Sequence, residues 1–466
     1  MRRKQTHIFI KIGVIFALLS TLFPLNVRSA ASEETGEPIK IGANYELSGS
    51  AASYGQQMLE GLELAVAQVN HAGGLLGGRP IKIISYDNKS DITESASVAQ
   101  RLVSQGVVGV VGPALTGTTQ AQLPILEQAG IPSVSPSATD DAMPFDKNGN
   151  VLKYFFRVCF SNSYQGQIGA RFVANELGAK RAVVLTDQAA DYSQGLVDAF
   201  SEEFQQLGGE IVFDTAFQSG DTDYSAILTS LFGIDYDVIY LPAYYNEAGL
   251  FIKQARELGI TQPIVGTDGY SSPVLLELTG PAAANDIYYT DHFSPESDDP
   301  AIQSFLSDYQ IRFDKPAGTW QALGYDAARL IFDAIERAGS DDPAKITEAL
   351  AATTDFRGVT GTFAIDANHN PVKPAIMIEL QQGKIDSAKF VEWFVESTQS
   401  ADYSRLFLCG DLFSLALSDG QSSRACAALL RQMESRAQQL HLSYPKMEFR
   451  DQQLRLNRLQ IEFPHN

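Results

Sequence analysis

From about residue 38 onward the chain alternates short β-branched runs with stretches whose apolar side chains return every three or four positions. Residues 40–47 read as a strand. Over 54–69 the apolar side chains recur at Met58, Leu62, Val66 and Val69, which is a helical stripe. The glycines of 73–78 end that helix and turn the chain into a second strand over 81–86. The same pattern predicts helices over 92–105, 118–129, 164–177, 193–207, 224–232 and 246–258. Between them it predicts strands over 107–111, 131–135, 181–185, 210–213, 237–241 and 263–266. Alternation of this length implies right-handed βαβ units, hence an α/β fold of parallel sheets covered by helices. Such folds bind ligands beyond the carboxyl ends of their strands, so the loops after the strands carry the candidate chemistry.

Residues 1–31 follow a different rule. Arg2, Arg3, Lys4 and Lys11 precede an uncharged apolar run over 12–25, and small residues follow at Ser29, Ala30 and Ala31. That order is the layout of a secretory signal peptide. The run is shorter than the ~20 residues a membrane span needs and is interrupted by Pro24. The expected location is therefore periplasmic or otherwise extracytoplasmic.

Composition narrows the chemistry. The chain has 466 residues and a net charge of −20, which opposes binding to a polyanion and sets nucleic acid aside. Three dispersed cysteines and six dispersed histidines provide neither a disulfide scaffold nor a metal site, so no metal and no cofactor is expected. The glycines of 73–78 close a helix instead of opening one, unlike a phosphate-binding loop. No GxSxG or HExxH motif occurs, and no residue set nominates an enzyme.

The loops are more informative. After the strand at 107–111, residues 112–120 gather Thr116, Thr118 and Thr119 where a helix opens. Hydroxyls and free N–H groups at a helix N-terminus suit a carboxylate, although capping alone would also explain them. Ser135, Ser137 and Thr139 form a second hydroxyl cluster. Later strand ends carry Asp191-Tyr192, Tyr244-Tyr245 and Thr267-Asp268. A carboxylate across a cleft from an anion site would suit an ammonium group.

In order along the chain, Leu47-Ser48-Gly49 with Tyr54-Gly55, the run 70–77, the segment 112–120, the segment 135–139, Tyr192-Ser193-Gln194-Gly195 and the segment 266–269 resemble the periplasmic leucine/isoleucine/valine-binding proteins of ABC importers. The resemblance spans about 38–396. It implies the type I periplasmic binding fold, two Rossmann-like lobes on a three-strand hinge, with 38–157 plus 287–364 in one lobe and 158–286 plus 365–396 in the other. It also implies an amino acid, branched-chain or otherwise apolar, as ligand and a membrane permease as partner, with the binding protein a monomer. Thr116 and Thr139 match hydroxyls that hold the ligand carboxylate, and Ser137 matches a carbonyl that receives the ammonium. Asp268 matches the carboxylate that pairs with the ammonium, one methylene shorter than the glutamate common in the family. Tyr192 and Tyr244 would close from the opposite lobe, and Tyr54 and Leu115 would border the ligand side chain. Ser90 and Leu115 stand where some relatives carry a disulfide. A receptor for an amide, urea or an aromatic acid is the alternative within the binding class, and a ligand sensor that signals through a partner is the other. Residues 397–466 lie outside the resemblance, with a charge balance close to neutral.

Overall fold

The computed structural model describes residues 36–391. Residues 1–31, whose sequence predicts a signal peptide, and the extension 397–466 lie outside the described residues.

Strands β1 (Ile39–Tyr45), β2 (Ile81–Asp87), β3 (Gly109–Val111), β4 (Ser133–Ser135) and β5 (Phe155–Arg157) form a sheet in the order β2-β1-β3-β4-β5. Every neighbouring pair is parallel, with Ile39 opposite Ile81 and Ile41 opposite Gly109. Helices α1 (Ala52–His71), α2 (Ile92–Ser104) and α3 (Thr116–Ala129) make the crossovers that parallel pairing requires. α1 carries the predicted stripe: Met58 and Leu62 are fully buried, each contributing roughly 1.5–3 kcal/mol of hydrophobic stabilisation.

The chain then enters a second sheet. After α4 (Asn162–Arg171), which runs on into a π turn at Phe172–Glu176, come β6 (Arg181–Asp187), α5 (Asp191–Gln206), β7 (Glu210–Phe217) and α6 (Ser225–Ser230). They are followed by β8 (Val238–Tyr240), α7 (Tyr245–Glu257), β9 (Ile264–Gly266), α8 (Pro273–Thr279) and β10 (Ile287–Asp291). The chain returns to the first layer with α9 (Pro300–Phe313), α10 (Thr319–Ala338), α11 (Pro343–Ala351) and the hairpin β11 (Phe356–Gly358)/β12 (Gly361–Phe363). α9 and α10 both pack on α1. A last passage delivers β13 (Ala375–Gln381) and β14 (Lys384–Val391) to the second sheet, whose order is β14-β13-β10-β9-β8-β6-β7. β13 runs antiparallel to β10 because it arrives from the opposite direction. Three passages between the layers thus join two α/β lobes.

One boundary differs from the sequence reading. The second lobe was expected to end at 286, yet β10 pairs with β9 in parallel and with β13. Its five residues are buried on both faces, so the strand belongs inside a sheet and the chain leaves only after Asp291. The buried strand β5 was not foreseen. Its Phe155-Phe156-Arg157 is only three residues long, and Arg157 does not read as core although it is fully buried.

The contact between α1 and α10 depends on two glycines. A methyl group at Gly61 would meet the Gln321 carbonyl, and one at Gly324 would meet the Met58 carbonyl. The two backbones therefore touch where side chains would hold them apart. Gly324→Ala is expected to force the helices apart and lower stability by about 2 kcal/mol. Thermal unfolding would register this as a lower midpoint, and an unchanged midpoint would mean that the helix pair yields freely.

Candidate functional site

The carboxyl ends of both sheets feed loops that meet in one narrow cavity. Six of the residues singled out from the sequence line it: Tyr54, Leu115, Ser137, Tyr192, Tyr244 and Asp268. Ala114, Gly269 and Trp320 complete the wall. Thr116 and Thr139 are buried beside Leu115 and Ser137 without lining the cavity, and the Thr139 hydroxyl has no hydrogen-bond partner.

On the first-lobe side the loop after β3 is held from below by Glu46. This buried carboxylate accepts the Ala114 N–H (3.0 Å), the Leu115 N–H (3.3 Å) and the Thr118 hydroxyl (2.5 Å). Burial pushes the Glu46 carboxyl up, while these hydrogen bonds pull it back. With its loop anchored this way, α3 opens at Thr116, two residues before the expected start. The first N–H groups of a helix have no partner within it, so the N–H groups of Thr116 and Gly117 mark an anion-attracting end. The neighbouring loop is tied to the same place: the Ser137 hydroxyl donates to the Ala114 carbonyl (2.7 Å), and Arg157 donates to the carbonyls of Ala138 (3.0 Å) and Asp140 (2.8 Å).

On the second-lobe side the centre is Asp268. Its Oδ1 accepts the Tyr192 hydroxyl at 2.6 Å, and its Oδ2 lies 3.0 Å from His292 Nε2. Both donors are neutral. Burial pushes the His292 imidazole down to about 4 against the opposing hydrogen bond to Asp268. Burial likewise raises Tyr192 far above the usual phenol range. Among the described residues no lysine or arginine forms an ion pair with Asp268. A carboxylate sealed away from water with no cation in direct contact is costly, and a cation placed in the cavity would relieve that cost.

The cavity is otherwise aromatic. Tyr192 and Tyr244 stack at 4.9 Å, and Tyr54 meets Tyr244, Tyr245 and Trp320 with centroids 4.6–5.9 Å apart. The Tyr54 hydroxyl is used up, donating to the Gly269 carbonyl (2.6 Å) and accepting the Tyr245 N–H (3.2 Å). These bonds run from one lobe to the other. Others do the same: Tyr245 and Asn246 donate to the Ser50 carbonyl, Ser53 bonds Ser272, and the Trp320 indole donates to the Ser271 carbonyl. The lobes are closed on each other.

Three residues that line or brace the cavity escaped the sequence reading. Trp320 sits on α10, beyond the last element predicted, and being one of only two tryptophans was its only signal. Glu46 is adjacent to the Leu47-Ser48-Gly49 motif but carries no pattern of its own. His292 read as one of the dispersed histidines. Among the described residues there is no cluster of three or more potential metal ligands and no helix long and apolar enough to cross a membrane.

Comparison with known proteins agrees with this geometry. The periplasmic binding protein family matches residues 38–384. A leucine-, isoleucine-, valine-, threonine- and alanine-binding protein of Pseudomonas aeruginosa is 27% identical over 337 residues, covering 72% of this chain and 88% of its own length. Among solved structures, the branched-chain amino-acid transporter substrate-binding protein LivJ of Streptococcus pneumoniae, in complex with isoleucine, is 41% identical with a TM-score of 0.72, covering 76% of this chain and 99% of its own. A solute-binding protein from R. palustris in complex with benzoate is 25% identical with a TM-score of 0.68, covering 76% of this chain and 98% of its own. With its two lobes, three connecting passages and a closed site at the strand ends, the chain belongs to the periplasmic binding protein family.

Proposed function

We propose that this protein is an extracytoplasmic receptor for an α-amino acid with an apolar side chain, which it delivers as a monomer to the membrane permease of an ABC importer. In this reading residues 1–31 direct export and are removed. The observation that carries the ligand class is Asp268, a buried carboxylate held only by neutral donors. An α-ammonium supplies the missing charge. The ligand carboxylate sits at the other end of the cavity, at the N-terminus of α3, with the hydroxyls of Thr116 and Thr139 and the Ser137 carbonyl around the polar end of the ligand. Tyr54, Leu115 and Trp320 offer apolar surface to its side chain, and the Tyr54 hydroxyl, already engaged, leaves nothing there for a polar side chain to bond.

The neighbour in complex with benzoate, together with the aromatic wall, favours a second reading, an aromatic acid. Such a ligand brings no cation to Asp268, so the two readings diverge at that residue. Asp268→Asn keeps the shape and removes the charge. For an amino acid the expected loss is at least ~2 kcal/mol, roughly thirtyfold in affinity. Thr116→Ala should cost ~1–2 kcal/mol, because backbone N–H groups still hold the carboxylate. Isothermal titration across the twenty amino acids and benzoate checks both. Retention of amino-acid affinity within threefold in Asp268→Asn would remove the ammonium from that position, and tight benzoate binding without amino-acid binding would establish the second reading.

A further inference from the structure

We propose that His292 is the positioning residue of the ligand site, a neutral imidazole with its proton on Nε2 that fixes the Asp268 carboxylate without supplying a competing positive charge. The inference rests on the reading that Asp268 receives the ligand ammonium, and it adds the reason that the carboxylate is available to do so.

Four observations converge on the ring. Nε2 lies 3.0 Å from Asp268 Oδ2, whereas Nδ1 is buried with no partner. A ring with one acceptor in reach carries its proton on that side, so Nε2 donates and Nδ1 is bare. The ring lies flat on Phe160, with centroids 3.7 Å apart and planes at 18°. The His292 backbone N–H donates to Asp291 Oδ1 at 2.7 Å. Side chain and backbone are both pinned, so the donor cannot swing away.

Location gives the contact its consequence. His292 is the first residue after β10, in the second passage between lobes, and Phe160 lies in the first passage, between β5 and α4. Two of the three connecting segments therefore meet behind Asp268. With Tyr192 on Oδ1 and His292 on Oδ2, the carboxylate has one setting, and its remaining lone pairs are left for the cavity. A lysine or arginine at 292 would neutralise Asp268 internally and remove its demand for a ligand cation. An apolar residue would leave Oδ2 unbonded and free to turn.

The charged and titratable groups around the imidazole are Asp268, Asp291 and Lys373. Lys373 is itself buried, with its amine donating to Thr360 Oγ1 at 2.9 Å, and its charge opposes a second proton on the ring. Burial, the larger cause, works in the same direction and lowers the ring to about 4, which keeps His292 uncharged at neutral pH.

The test uses His292→Phe, which keeps the stack on Phe160 but has no donor, and His292→Gln, whose amide N–H can take the place of Nε2–H. Titration calorimetry would compare L-isoleucine, L-leucine and L-valine with the 2-oxo acids of the same skeletons. The expected result is about a tenfold loss of amino-acid affinity in His292→Phe, recovery to within threefold in His292→Gln, and 2-oxo acid affinity equal in all three proteins. Equal losses for both ligand types, or none for either, would overturn the positioning role. If Asp268→Asn loses amino-acid affinity while His292→Phe does not, the ammonium reading stands and this inference alone fails. If no amino acid binds the wild type, both fall. Long-range ¹H–¹⁵N spectra of the wild-type histidines give a measure that does not depend on the variants folding. A resonance with protonated Nε2 and bare Nδ1 between pH 5 and 8 is expected for His292, and a doubly protonated ring or an Nδ1–H tautomer there would contradict the proposal.

Discussion

The arrangement turns on one buried charge that no cation among the described residues touches directly. Asp268 is almost completely buried, both its oxygens are held by neutral groups, and among the described residues no lysine or arginine pairs with it. Burying a carboxylate without its hydration is among the larger penalties a folded chain can carry, and hydrogen bonds from Tyr192 and His292 offset only part of it. The fold tolerates this because the residue stands at a strand end, at the lip of a cavity, where a second molecule can complete the balance. Closing the two lobes without a cation would leave the cost in place, and closing them with one would remove it. That difference is a source of free energy for closure, since a ligand can shift such an equilibrium only through unequal interaction with the open and closed states.

The rest of the frame holds the opposing surfaces in register. Glu46 fastens the loop that opens α3, Arg157 fastens the loop after β4, and the close contact of α1 with α10 sets Tyr54 and Trp320 side by side. Both rings then reach across: Tyr54 bonds Gly269, and Trp320 bonds Ser271. The residues that shape the apolar part of the cavity are therefore also the latch between lobes. A side chain that displaces Tyr54 or Trp320 disturbs closure as well as fit, so selectivity for ligand size and the stability of the closed form are two readings of the same contacts.

Much of this was legible in the sequence, for a physical reason. Parallel βαβ units leave strong local signatures, a period near 3.6 in α1 and short apolar runs in β1 and β6, and they oblige ligand groups to sit just after the strands. Tyr192, Tyr244 and Asp268 could be found by walking to those loops. What was hidden depends on contacts distant in sequence. α3 starts at Thr116 and not at 118 because Glu46 takes up N–H groups 68 and 69 residues away. His292 looked like any isolated histidine until β10 carried it to Asp268, 24 residues off. β10 itself was assigned across the boundary because its pairing with β13, near the end of the described chain, has no local trace. Trp320 belongs to a helix of the first lobe, and its contact with Ser271 of the second is 49 residues distant in sequence.

The central claim is that a ligand cation balancing Asp268 draws the two lobes together about three connecting segments. Small-angle scattering with and without the amino acid of highest affinity tests it directly. The account predicts an open, larger particle in the free protein and a decrease in radius of gyration that saturates with ligand at the same concentration as binding. A tightly bound amino acid that leaves the radius of gyration unchanged would contradict it.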